Sequence, residues 1–321
     1  MTAIQTDGLT KQYGSGDGAI LALDDLNLTV EDGEVFGFLG PNGAGKSTTI
    51  NILLDFIDPT AGRAEVLGHD VRTESKAIRA RTGVLPEGAE VFERLTAREH
   101  IEWMADTKSV STDPDRLLET VGIADAADRK AGGFSKGMQQ RLALGMALVG
   151  DPDLLLLDEP SSGLDPTGMR EMRELIREQA ESGTTVFFSS HILSEVEAVC
   201  DRVAILNAGE LMIEDTIENL RDSNGGATSI ELDVTSVPSD LGLQSVDGVR
   251  DVAVSDGTVR AVCSTPTAKV DVVKYVDGRT TVTDIIAEDT SLEELFQRYT
   301  GHNPRTESHE ETAAEAPEAT V

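Results

Sequence analysis

Positive charge is scarce in this sequence: 27 lysines and arginines stand against 58 aspartates and glutamates, a formal net charge of −31 over 321 residues. Such acidity excludes the basic face that a nucleic-acid partner requires. It is spread along the whole chain, which points to a protein adapted to high salt, where screening relieves like-charge repulsion. The plainer alternative is an ordinary acidic protein with an acidic tail. Cysteine is nearly absent. Cys200 and Cys263 lie far apart in unrelated contexts, so neither a disulfide framework nor a zinc site is signalled. No apolar run approaches the roughly 20 residues of a membrane span, and no signal-peptide pattern opens the sequence. The expectation is a cytoplasmic chain without internal repeats, large enough for one large domain and a smaller one.

What is present centres on Val35 to Asn51. The apolar run Val35-Phe36-Gly37-Phe38-Leu39 has strand length, and apolar residues recur at helical spacing from Thr48 to Phe56. Between them lies Gly40-Pro41-Asn42-Gly43-Ala44-Gly45-Lys46-Ser47-Thr48, in which Gly40, Gly45, Lys46 and Ser47 fit the phosphate-binding loop pattern. Glycines let backbone N–H groups turn inward as an anion nest, and the helix N-terminus adds roughly half a positive charge. Lys46 can reach β- and γ-phosphates, and the Ser47 hydroxyl can ligate Mg²⁺. An ordinary glycine-rich turn is the bland alternative; the strand before and helix after favour nucleotide binding.

Strands are expected over Ala3–Leu9, Leu21–Val30, Arg63–Gly68 and Thr82–Glu87, then helices only from about Gly88 to Gly150. Thr96-Ala97-Arg98-Glu99 reads as a capping box, and Asp113-Pro114 as a cap followed by proline at the first helical position. Leu154 to Leu157 is continuously apolar, as in a parallel strand buried on both faces. Helix from about Thr167 to Glu181, strand Thr184–Phe188, helix Ile192–Val199 and strand Arg202–Leu206 continue a β/α alternation. Residues 221–228 read as a linker. Residues 229–301 read as a small α+β domain with strands Ile230–Val234 and Val259–Cys263 and helices Ala268–Val276 and Leu292–Tyr299. The acidic tail 302–321 has the composition of disorder.

Mg²⁺ needs a further carboxylate, and hydrolysis needs a group to position water. Asp158, at the end of the four leucines, supplies the first, because the C-terminal ends of parallel strands open onto the ligand crevice. Glu159 is the candidate general base, unless Asp158-Glu159-Pro160 merely starts a loop. Tyr13 is either a half-buried aromatic or a ring that stacks on a purine. His69, His100, His302 and His309 read as surface or satisfied core histidines.

Further motifs resemble those of ATP-binding-cassette ATPases, in family order from about Ile4 to Leu220. Phe134-Ser135-Lys136-Gly137-Met138-Gln139-Gln140-Arg141 looks like the signature sequence, usually Leu-Ser-Gly-Gly-Gln. Ser162-Gly163-Leu164-Asp165 resembles the aspartate loop, Ser189-Ser190-His191 the switch histidine, and Tyr13 the adenine-stacking aromatic. Two departures stand out: Lys136 replaces the first signature glycine, and Glu87 replaces the lid glutamine. Both occur in the branch resembling drug, lipid and polysaccharide exporters, whose C-terminal ending Ser291 to Gly301 also resembles.

The resemblance implies a P-loop NTPase cassette over residues 1–220, of α/β class, with a helical subdomain at about 88–150. It implies ATP and Mg²⁺ as cofactors, Ser47, Glu87 and Asp158 at the metal, and Glu159 and His191 as catalytic groups. Two cassettes would pair head to tail, one subunit's phosphate loop facing Ser135, Lys136, Gly137, Met138 and Asp165 of the other. The implied function is the ATPase of an export-type transporter, with a separate permease holding it to the inner face of the membrane. Two other readings are a soluble cassette ATPase acting on nucleic acid or ribosomes, and a nucleotide-binding module without turnover. Strong negative charge and a single cassette oppose the former; intact Asp158, Glu159 and His191 oppose the latter.

Overall fold

The computed structural model describes residues 2–223, 228–237, 241–255, 257–264, 266–289, 296 and 299–301. They fall into two compact units, Met1–Asp215 and Thr216–Val321. The first runs β1 (Thr2–Tyr13), β2 (Ile20–Glu31), β3 (Val35–Leu39), α1 (Lys46–Leu53), β4 (Ala61–Val66), β5 (His69–Asp70), α2 (Ser75–Arg81) and β6 (Thr82–Leu85). Then come α3 (Ala97–Lys108), α4 (Pro114–Thr120), α5 (Lys136–Ala147), β7 (Leu154–Asp158), α6 (Pro166–Glu181), β8 (Thr185–Ser190), α7 (Leu193–Val199), β9 (Arg202–Asn207) and, at the boundary, β10 (Glu210–Thr216).

Two sheets enclose the core. The smaller has the order β2-β1-β4-β5 and antiparallel pairing throughout. Leu26, Leu28 and Val30 of β2 are buried and alternate with polar residues, as the period of a half-buried strand requires. At Asp25 (φ +51°) the register against β1 shifts, so Leu23 and Leu26 both point inward. The larger sheet has the order β10-β9-β3-β8-β7-β6, with parallel pairing from β9 across to β6. Strands β3, β7 and β8 are buried along their whole length, as the apolar runs Val35–Leu39, Leu154–Leu157 and Val186–Phe188 require. Phe36 stacks on Phe187 with centroids 6.0 Å apart, locking β3 to β8. This is the expected α/β cassette architecture.

The insertion between β6 and β7 is helical as expected. Its only extended pairing among the described residues is an isolated bridge between Thr96 and Lys130. The capping box is formed: Glu99 N–H donates to Thr96 Oγ1 at 3.2 Å, and Thr96 N–H to Glu99 Oε2 at 2.7 Å. Asp113 caps α4 ahead of Pro114. His100 is a satisfied core residue, its Nδ1 against the Thr96 carbonyl at 2.7 Å and its Nε2 accepting from Phe92 N–H at 2.9 Å.

The second unit contains α8 (Ile217–Ser223), β11 (Thr228–Val234), β12 (Val249–Ser255), β13 (Thr258–Cys263), α9 (Pro266–Asp277) and β14 (Val282–Asp289), its sheet ordered β12-β13-β11-β14. Helix α9 brings Ala268, Val272 and Val276 into a core with Ile230, Leu232, Val259, Ala261 and Cys263.

Several expectations need correction. The strand at Arg63–Gly68 spans Ala61–Val66 instead, because Leu67 (φ +52°) and Gly68 (φ +76°) turn the chain into β5. Arg221 to Ser223 end a helix rather than begin a linker. Strands β12 and β14 and helix α2 were not anticipated. Both strands are sheet edges whose apolar residues, Val254 and the adjacent Ile285 and Ile286, remain about half exposed, so no clean alternation announces them. Most of the helix expected at Leu292–Tyr299, and the whole tail 302–321, lie outside the described residues.

Candidate functional site

Three neighbouring strands, β3, β8 and β7, end on one side of the larger sheet, and the loops that follow them meet there. Loop 40–45 links β3 to α1. Gly45 precedes the helix at φ +112°, where a Cβ would lie 2.6 Å from the Ala22 carbonyl oxygen, so only glycine allows this turn. No side chain caps α1, which leaves first-turn N–H groups facing a cavity of about 330 Å³. The loop from Pro41 to Thr48 lines that cavity together with Ala22, Glu87 and Glu159.

Lys46 is 6% exposed. Its Nζ donates to the Gly40 carbonyl at 2.7 Å and ion-pairs with Glu159 Oε1 at 3.2 Å. Glu159 is 5% exposed and follows Asp158 with φ +48°, a left-handed conformation uncommon outside glycine that turns the chain sharply at the strand end. Its N–H is shared between the carbonyl (3.2 Å) and hydroxyl (3.3 Å) of Ser189. His191 Nδ1–H donates to Glu159 Oε2 at 2.9 Å, the tautomer that an ionised carboxylate demands. The Ser189 hydroxyl donates to Asp158 Oδ1, fixing that buried carboxylate. A chain of contacts, Lys46–Glu159–His191, thus starts at the cavity, which Lys46 and Glu159 line, and runs on to the loop after β8.

Loop 40–48, Glu87, Asp158, Glu159 and His191 are therefore brought together. Ser135, Lys136, Gly137, Met138 and Asp165 are not; they line a second cavity of about 780 Å³ that shares no residue with the first. There the Ser135 hydroxyl caps α5 by accepting from Met138 N–H at 3.3 Å, and Asp165 caps α6 by accepting from Gly168 N–H at 2.8 Å. Tyr13 stands at the end of β1, 40% exposed, with Lys11 Nζ 5.0 Å from its ring centroid; it does not line the first cavity. Ser189 and Ala22 are site residues that sequence reasoning missed. The sequence shows Ser189 only as the start of the motif Ser189-Ser190-His191; its place in β8 beside β7 sets it against Asp158.

Ser47, Asp158 and Glu87 offer only oxygen donors. Mg²⁺ usually takes one or two carboxylates and completes its shell with water and substrate phosphate. Consistent with that, no described cluster of three His, Cys, Asp or Glu residues forms an all-protein metal cage.

A family model described as ABC transporter matches residues 23–162. The chain is 37% identical over 306 residues to the bacitracin transport ATP-binding protein BcrA of Bacillus licheniformis, covering 94% of this chain and 98% of that one. It is 34% identical over 340 residues to the daunorubicin/doxorubicin resistance ATP-binding protein DrrA of Streptomyces peucetius, covering 98% and 97% respectively. Among solved structures, a dimeric post-hydrolysis state of the ATP-binding cassette MJ0796 bound to ADP and Pi superposes with a TM-score of 0.61. It is 28% identical and covers 67% of this chain and 98% of that one.

Proposed function

We propose, since this chain belongs to the family of ABC transporter ATP-binding proteins, that its ATP hydrolysis energises export through a permease carried on a separate chain. The chain is an ATPase of that family. Export is inferred from relatives matched over nearly their whole length, which are named for bacitracin transport and for daunorubicin and doxorubicin resistance. The observation that carries the mechanism is the row Lys46–Glu159–His191 beside an uncapped helix start.

Triphosphate oxygens dock on the N–H groups of loop 40–48, and Lys46 exchanges the Glu159 carboxylate for the β- and γ-phosphates. Glu159, released from Lys46, takes a proton from water as the water oxygen bonds to the γ-phosphorus and the bond to the ADP oxygen breaks. His191 turns its hydrogen bond from Glu159 to the γ-phosphate. Ser47, Asp158 and Glu87 would hold Mg²⁺, which neutralises phosphate charge. Tyr13 would take the adenine on the ring face away from Lys11.

Ser135–Met138 and Asp165 serve the nucleotide of a second copy, because their cavity is separate from the phosphate loop of their own chain. The solved MJ0796 cassettes are described as dimeric, which supports head-to-tail pairing. Among the described residues no helix is long and apolar enough to cross a membrane. Attachment to the inner membrane face therefore falls to the permease, and the acidic surface suits a cytoplasm of high salt. The cassette extends to about residue 220, and the unit after it supports or regulates the dimer. Purification from detergent extract tests this: an integral membrane protein should copurify, whereas ribosomes or DNA in its place would overturn the transport reading.

A further inference from the structure

Glu195, in the first turn of α7, is buried beside the hydrolytic pair although no step above uses it; it is 1% exposed. Its Oε2 accepts from the Ser190 hydroxyl at 2.9 Å, and Ser190 Oγ in turn accepts from Ile192 N–H at 3.0 Å, bracing the turn through His191 from both sides. Its other oxygen, Oε1, is buried without a hydrogen-bond partner, as is Ser161 Oγ. Burial above all raises the Glu195 pKa. The Ser190 and Ser161 hydroxyls oppose that rise, and the neighbouring charge of Glu159 adds to it. Ser161 is thus at hand without being engaged. A carboxyl so enclosed, next to another carboxylate, is harder to ionise than one in water.

Ser190 directly precedes His191, and Ser161 lies two residues after Glu159. We propose that Glu195 is a positioning residue whose carboxyl accepts from Ser190 and pairs through Oε1 with Ser161, tying the Glu159 loop to the His191 loop. Two buried polar atoms left unpartnered are unfavourable, so pairing Glu195 Oε1 with Ser161 Oγ stabilises the joined arrangement of the two loops. Glu195 touches neither nucleotide nor water; it holds the register of two groups that do.

The inference rests on Glu159 and His191 acting in hydrolysis, and steady-state ATPase rates of the full chain, alongside binding of a fluorescent ATP analogue, separate the two ideas. Glu195→Leu should lower kcat by about 10- to 100-fold, the scale of a misplaced catalytic group, with KM and analogue affinity unchanged. Glu195→Gln should stay within about threefold of wild type, because an amide keeps a donor and an acceptor. Ser161→Ala, a change of one hydroxyl that folding tolerates, should lower kcat and add nothing on top of Glu195→Leu. The proposal fails if Glu195→Gln is as slow as Glu195→Leu, if Ser161→Ala turns over at the wild-type rate, or if kcat and nucleotide affinity fall together. If Glu159→Gln itself leaves hydrolysis intact, the assignment of Glu159 fails instead; if Glu159→Gln loses turnover while Glu195→Leu is normal, this inference alone is lost.

Discussion

Replacing Glu159 by glutamine should separate ATP binding from ATP turnover. Glu159 Oε1 lies 3.2 Å from Lys46 Nζ, both side chains 6% exposed. Two unit charges at that distance attract by about 5 kcal/mol at an effective dielectric of about 20. Desolvation of both ions cancels much of this gain. ATP must nevertheless win Lys46 from Glu159, and in the variant it need not. If about 1–2 kcal/mol of the attraction survives as net stabilisation of the free state, Kd for ATP should fall by roughly 5- to 30-fold. Turnover should drop by about 10²–10⁴-fold, roughly 2.7–5.4 kcal/mol of barrier, for want of a base. Tight, uncleaved ATP then accumulates between two copies. Light scattering with and without Mg-ATP should report a dimer in the variant where the wild type is largely monomeric, and titration with a fluorescent analogue measures Kd. Wild-type hydrolysis, or a variant saturated with ATP yet still monomeric and no tighter in binding, refutes the reasoning.

Lys46→Ala should abolish the thermal shift produced by ATP, since each charge-assisted phosphate contact is worth about 1.5–3 kcal/mol, and should lower the melting temperature without ATP, because Glu159 loses its buried partner; a shift equal to wild type would remove Lys46 from the phosphate site. Going from dilute buffer to molar KCl should raise the melting temperature, as the Debye length shrinks from about 10 Å at 0.1 M to about 3 Å at 1 M around 58 acidic residues, and an unchanged or lower value contradicts adaptation to salt. A fragment ending near Arg221 should stay soluble and bind ATP, because every nucleotide motif lies upstream; an insoluble fragment argues against a separable boundary.

Much of the site is written locally. Gly40, Gly45, Lys46 and Ser47 are legible because only glycine permits the backbone that the loop adopts, with Gly45 at φ +112°. Asp158 is legible because four leucines can only be a strand buried on both faces, and a carboxylate at its end has one place to go. Thr96 with Glu99, and Asp113 with Pro114, announce their helices through bonds that span three residues. The parts played by Ser189 and Glu195 were not legible, since their partners Asp158 and Ser190 are recognised only once β8 and α7 are packed. Strands β12 and β14 stayed hidden because an edge strand buries too little on one face to enforce alternation.

By itself the sequence pointed to the phosphate loop, Asp158 and the strands that deliver them through backbone geometry or periodicity confined to a few neighbouring residues, and to His191 and Glu87 through resemblance to the cassette family. Only the tertiary structure decided that β8, last of the three in the chain, lies between β3 and β7. That order brings Ser189 against Asp158 and His191 against Glu159, and it joins Lys46 to Glu159 across 113 residues in a buried pair. Strand order follows from burying both faces of a parallel sheet under crossover helices, a property of the whole chain that no local window carries.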